Sequence, residues 1–278
     1  MAWSVGILGQ GDRLGPSRGE GLVKYLKPEG TTPRAPDGKP DLSGMYTAGK
    51  HWFNWGIRWI VPQSEYSGTR CEECGGEAAQ AVMDRSTTNK PIYKPEYWQQ
   101  VQDLDFGLVT DDPQFSCRPQ GVPRMGIPLK IGQRPNEIVL WHLSYPEGYR
   151  TRIIPLDGRQ LTQEDREALT SDGVPVGSWE GDTLVIESVG FNDETWLTWA
   201  GYMHSNRMTV TERIWRNGDL LYWQATVVDP VMLQESWVMD PQVRRLNPDP
   251  TDFVLEEALP CEQQDGDILL KIAPRYRG

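Results

Sequence analysis

Three side chains suited to proton chemistry recur at even spacing in the stretch HSNRMTVTERIW, residues 204 to 215. His204, Asn206 and Glu212 stand an even number of residues apart, so one face of a β-strand would carry all three. An imidazole titrates near neutral pH and suits a general base or acid. An amide can donate to developing charge. A carboxylate on an inward face is costly without a partner. Glu212 therefore reads in two ways, as a general acid/base or ligand anchor, or as a structural ion pair with an inward-facing arginine.

The element that must hold these groups is a hairpin. Asn217-Gly218 lies between two alternating apolar runs, and a two-residue turn fixes pairing. With Arg216 opposite Asp219, Glu212 faces Trp223 and Asn206 faces Asp229. One face then holds Met208, Val210, Ile214, Leu221, Trp223, Ala225 and Val227 and is the interior. His204, Asn206 and Asp229 meet at one end of that face. There His204 would be the base or acid, Asp229 would orient it, and Asn206 would donate a hydrogen bond. EIVLWHLSY and YRTRIIPL form a second hairpin around PEG, with Val139, Trp141, Leu143, Tyr145, Tyr149, Thr151 and Ile153 on the inward face. Trp141, Tyr145 and Trp223 would line a cavity. His142 would lie outside with Arg150 and Arg152.

Other strands are expected in SWEGDTLVIESVGF, QESWVMDPQV and DFVLEEAL. Helices are expected over 76–85, over 94–104 with Pro95 in the first turn, and over 161–170 with Thr162 as N-cap. Residues 1–45, rich in Gly, Pro and charge, read as an irregular arm, and 46–278 as a single domain. Short turns join the strands, with no repeat and no βαβ alternation. The fold class is all-β with minor α, an antiparallel up-and-down β-barrel, lipocalin-like, with helical insertions.

The bulk numbers narrow the partners. The chain has 278 residues and a net charge of -11, which argues against nucleic acid or an anionic membrane. No run approaches the roughly 18 apolar residues of a membrane span. The start of the chain shows no basic stretch before an apolar one, so a cytoplasmic location is the expectation. Twelve Trp and 10 Tyr against 5 Phe fit either a grip on a ring-shaped ligand or an aromatic core. Cys71 and Cys74 form CEEC, open between structural thiols, a local disulfide and metal. Only Cys117 and Cys261 could complete an all-cysteine zinc set. With 3 His there is no HExxH, and neither a phosphate loop nor a nucleophile elbow is present.

The runs APDGKPDLSG, CRPQGVPRM, GSWEGDTLVIESVGFNDETW and HSNRMTVTERI together resemble a large bacterial family of uncharacterised proteins. Its members share CxPxGxPR, WEGDTL, FNDxTW and HSxxxxVxER motifs. The likeness spans about residues 35 to 260. It implies functional weight for Arg118, Arg124, Asn192, Asp193, Trp196, His204, Ser205, Glu212 and Arg213. Many members begin with a secretion signal, from which this chain departs. A fainter resemblance is to lyases of lignin-derived aromatic dimers.

These readings converge on a cofactor-independent lyase or isomerase that moves a proton on a small aromatic molecule in a barrel cavity. His204, Asp229, Asn206 and Glu212 would be catalytic. Arg118 or Arg124 would stabilise an anionic or phenolate group, with Asp193 and Trp196 beside them. The alternative is a lipocalin-like carrier without catalysis. A third reading is a metal-dependent hydrolase using His204 and carboxylates. A homo-oligomer is left open.

Overall fold

A computed structural model describes residues 28–47, 91–104, 112–144, 148–198, 202–239 and 241–248. The expected helix over 76–85, the strand DFVLEEAL, the CEEC pair, His51, Tyr145 and Cys261 lie outside them.

The strands follow alternation of inward apolar and outward polar residues. They are β1 Gly44–Thr47, β2 Lys130–Arg134, β3 Glu137–Ser144, β4 Gly148–Pro155, β5 Val174–Glu180, β6 Thr183–Val189, β7 Thr209–Asn217, β8 Leu220–Val228, β9 Trp237–Val238 and β10 Gln242–Leu246. The sheet order is β4-β3-β2-β1-β10-β8-β7-β6-β5, with β9 added beside β8, and every paired neighbour is antiparallel. This is a nearly closed antiparallel up-and-down barrel, and the all-β class with minor helix holds.

Nine alternating strands make an odd ring. The registers therefore bring β4 and β5 together pointing the same way, and no ladder joins them. Side chains fill that seam instead. Gly177 of β5 lies so close to β4 that a Cβ would stand 2.8 Å from Ile154 and 2.7 Å from Leu156.

Helix α1, Pro95–Asp103, starts with its proline in the first turn. The second helix, α2 Gln163–Arg166, is a single turn rather than a span of 161–170. Thr162 caps it in a capping box with Asp165, whose carboxyl those Thr162 hydrogen bonds hold below its ordinary value. The helix ends at Arg166 with Glu167 as its C-cap, and beyond it Leu169 takes a left-handed φ of 50° and Thr170 bridges to Phe191.

The described part of the N-terminal arm is docked. Glu29 donates its backbone N–H to Asp219, Thr32 bonds Arg216 and Gly218, and Arg34 grips Asp182 through two bonds of 2.6 and 2.7 Å.

Three expectations need correction. The β7–β8 loop is Gly218-Asp219, not Asn217-Gly218, because Gly218 takes a φ of 57° at the first loop position, as a type II′ turn requires. Pairing shifts by two residues, so Glu212 faces Ala225 rather than Trp223. A shift of two preserves faces, and Met208, Val210, Ile214, Leu221, Trp223, Ala225 and Val227 do form the core. Secondly, β7 begins at Thr209. Residues 206 and 207 form a turn closed by Met208 N–H on the Ser205 carbonyl, so Asn206 is exposed and does not face Asp229 from a strand.

Thirdly, the β3–β4 hairpin is turned inside out. Ile138, Leu140, His142, Ser144, Arg152 and Ile154 are buried, whereas Leu143, Thr151 and Ile153 are exposed. Trp141 stands on the outer face, across Gly132 and with the Lys130 ammonium 5.5 Å from its ring, so it does not line the interior. Both faces of this hairpin carry branched apolar residues, so alternation alone cannot choose between them.

Candidate functional site

At one end of the barrel β2, β4, β5 and β7 begin and β3, β6 and β8 end. Two polar groups collect there, one in the loops and one inside the barrel.

The loop group is built on His204, which is 2% exposed. Its Nδ1 lies 3.1 Å from the Ser205 carbonyl, which can only accept. The proton therefore sits on Nδ1, and the bare Nε2 accepts the hydroxyl of Thr195 at 2.7 Å. Burial pulls the imidazole pKa down, only partly offset by the Ser205 carbonyl and the charges of Asp229 and Asp193. His204 is thus neutral near pH 7. Phe191 meets its ring edge-on at 6.5 Å between centroids.

Local rules place each partner. Asn192 accepts Glu194 N–H at 3.2 Å, an Asx-turn that brings Thr195 inward two residues after exposed Asp193. Gly121, at φ 69°, packs on Thr195 so closely that a Cβ would stand 3.1 Å from its methyl and 2.5 Å from the Ser171 carbonyl. Trp196 is buried with the Arg124 guanidinium 5.7 Å from its ring centroid.

Asp229 does not orient His204. Its carboxylate accepts Ser205 N–H at 2.6 Å, the Ser205 hydroxyl at 2.8 Å, and the N–H groups of Val231 and Met232 at 2.9 and 3.0 Å. It ties the turn before β7 to the turn after β8. A carboxylate with that many donors is a structural clamp, acting on His204 by charge alone. Neither candidate arginine is poised for an anionic ligand. Arg124 is bound by two hydrogen bonds to buried Asp112 at 2.7 and 2.6 Å and reaches Gln114. Arg118 pairs with Glu194 at 2.9 Å on the surface.

The interior group centres on Glu212, 1% exposed. Arg152 of β4 donates to it at 3.1 and 2.6 Å, and the indole N–H of Trp223 at 2.9 Å. Burial alone would push the Glu212 carboxyl up. The charge and hydrogen bonds of Arg152, with the Trp223 indole, outweigh that and hold it below the usual carboxylate range. Beside this pair is His142, 1% exposed. Burial and the Arg152 charge push its pKa down to about 3, against the smaller pull of Glu212 and of a hydrogen bond to the Gly126 backbone, while Arg244 adds to the push. Arg244 of β10 is buried on the same inner surface, and burial lowers its guanidinium to about 10.

The expected residues thus separate into sets. His204 joins Thr195 and Ser205, with Asp193 and Trp196 nearby in sequence and Arg124 stacked behind. Glu212 and Trp223 join Arg152 and His142. Asn206 and Arg118 are on the surface, and Trp141 is on the outer wall.

Thr195, Arg152 and the inward His142 were not anticipated. Thr195 lay in view as the threonine of the FNDETW segment. Arg152 was signalled by the need of an inward glutamate for an inward arginine. Cys117 is disulfide-bonded and so offers no thiolate to a metal. No cluster of three metal-ligating side chains occurs among the described residues.

Comparison with protein-family models, with curated proteins and with solved structures finds no match for the chain.

Proposed function

We propose that the protein is a cofactor-independent lyase or isomerase that moves a proton on a small aromatic molecule at the loop end of the barrel. The observation that carries this reading is the Thr195 hydroxyl donating to the bare Nε2 of His204, with Nδ1–H held by the Ser205 carbonyl. A hydroxyl on a neutral, oriented imidazole is a proton relay. The substrate gives its proton to Thr195 Oγ1 as the Thr195 proton passes to His204 Nε2. The resulting imidazolium is steadied by the charges of Asp229 and Asp193. Reversing the two transfers returns the proton to product. Phe191, Trp196, Tyr202 and Tyr93, all buried near this junction, suit an aromatic ring.

Because His204 is depressed by burial, it is already unprotonated at neutral pH. The acid limb of kcat/KM should therefore fall below the ordinary histidine range. The disulfide at Cys117 favours an oxidising compartment over the cytoplasm expected from the start of the chain. Among the described residues no helix is long and apolar enough to cross a membrane.

A second reading, a carrier without chemistry, is favoured by one observation. The interior group holds a buried imidazole beside a buried ion pair yet no base of suitable strength. A panel of phenolic dimers, stilbenoids and related aromatics separates the two. Tryptophan quenching and product are followed together, with protein at trace and at stoichiometric levels. Product at trace protein supports the enzyme. Saturable quenching without product supports the carrier. Silence in both arms overturns both.

A further inference from the structure

Thr195 is held opposite His204 from two sides. Downstream, the Leu197 N–H donates to the Tyr202 carbonyl at 2.6 Å and Trp196 bridges antiparallel to Met203. The same register sets Thr195 opposite His204, which brings the two side chains together but leaves the angle at which the chain enters Thr195 open. Upstream, the backbone on both sides of Phe191 is tied to Thr170. The Thr170 N–H donates to the Gly190 carbonyl and the Asn192 N–H to the Thr170 carbonyl, both at 2.9 Å. Between these two anchors lie Asp193 and Glu194, both exposed. The Asn192 side chain spans that gap. Its Oδ1 accepts the Glu194 N–H at 3.2 Å, and its Nδ2 donates to the hydroxyl of buried Ser171 at 3.4 Å. The Ser171 carbonyl accepts the Val122 N–H at 3.3 Å, one residue beyond the Gly121 that packs on Thr195.

We propose that Asn192 is a positioning residue of the relay, whose side chain sets the hydrogen bond between the Thr195 hydroxyl and His204 Nε2. It touches neither reacting atom and acts through Thr195. A side chain that closes a turn onto the N–H two residues on fixes the direction of the chain that follows. The Arg118–Glu194 pair beside it is half exposed and adds little. Without the Asn192 contacts the chain enters Thr195 at another angle, and a shift of about 1 Å costs a proton transfer up to about a hundredfold. This rests on the reading of Thr195 and His204 as a relay, but the hydrogen bond it concerns can be observed without turnover.

The protein is labelled with 15N-histidine and observed at neutral pH, where His204 is unprotonated. The His204 Nε2 resonance is identified as the one that moves in Thr195→Val, which removes the hydroxyl. Asn192→Leu keeps the size of the side chain and removes both of its contacts. Its Nε2 resonance should move toward the Thr195→Val position, with kcat down about ten- to hundredfold and KM within about twofold. Asn192→Asp keeps an acceptor for the Glu194 N–H and can accept from the Ser171 hydroxyl, so it should restore the wild-type resonance. A wild-type Nε2 resonance in folded Asn192→Leu, or a resonance in Asn192→Asp as displaced as in Asn192→Leu, overturns the proposal. If Asn192→Leu does not fold, Asn192→Ser decides, because its shorter hydroxyl closes the turn more weakly and its resonance must move the same way. The resonance needs no substrate, so it decides even where the aromatic panel yields none. A resonance that follows Asn192 while Thr195→Val turns over like the wild type contradicts the relay and leaves the positioning of the hydroxyl standing. An inactive Thr195→Val beside an Nε2 resonance indifferent to Asn192→Leu contradicts this inference and leaves the relay standing.

Discussion

His142 ties the protein's stability to pH with a definite sign. Its folded pKa is about 3 against an ordinary value of 6.5, so between these the unfolded chain binds a proton that the native chain refuses. Its contribution is complete above the ordinary value and is lost as pH falls toward the folded one, at up to about 1.4 kcal/mol per pH unit. Glu212 acts in the same direction but lower on the scale. Its depressed carboxyl stabilises above the ordinary carboxylate value, and that gain disappears as pH falls through its folded pKa. His204, also depressed, adds to the histidine window. Urea midpoints measured from about pH 7 to about pH 5 should fall in the wild type and fall less steeply in His142→Phe. Parallel curves would place His142 in water.

The loop of residues 117–126 is the element that connects the two polar groups. Gly121 rests on Thr195, Arg124 lies over Trp196, and the backbone at Gly126 acts on His142. Gly121→Ala meets both a left-handed φ of 69° and a Cβ position 2.5 Å from the Ser171 carbonyl. The expected loss is about 2–4 kcal/mol, with turnover falling further than stability accounts for because Thr195 must shift. A variant as stable as the wild type, with unchanged turnover, would detach this loop from the site. Legibility in the sequence also divides by element. The faces of β7 and β8 could be read because 208–227 alternates cleanly, and the slip of two residues came from choosing Asn217 over Gly218 as the first loop residue. The faces of β3 and β4 could not be ranked, since Ile138, Leu140 and Ile154 compete with Val139, Trp141 and Ile153. What settles them is Arg152 reaching Glu212, a contact across the barrel. His204 stood out by its type. Thr195 did not, because the two meet through an irregular segment in which no periodicity applies.

The odd ring sets the stability of the whole molecule. β4 and β5 meet without a ladder, and Arg152 on β4 binds Glu212 on β7 across the interior. That buried pair closes from inside what hydrogen bonds do not close from the wall. Glu212→Gln leaves the Arg152 charge uncompensated and should cost about 3–5 kcal/mol, read from urea unfolding. It should also speed amide exchange in β4 and β5 more than in β7 and β8. Uniform exchange across the barrel, or a cost within experimental error, would make the pair incidental to closure.

The most direct test of the central claim compares wild type with Thr195→Val on whichever aromatic substrate the panel yields, with melting recorded alongside. Valine keeps the shape of threonine and removes only the proton given to His204. The relay predicts a fall in kcat/KM of about 10²–10⁴-fold, with a stability loss of no more than about 1–3 kcal/mol. A folded Thr195→Val enzyme that turns over like the wild type would contradict it, and the Thr195–His204 hydrogen bond would then be a structural contact beside a site located elsewhere.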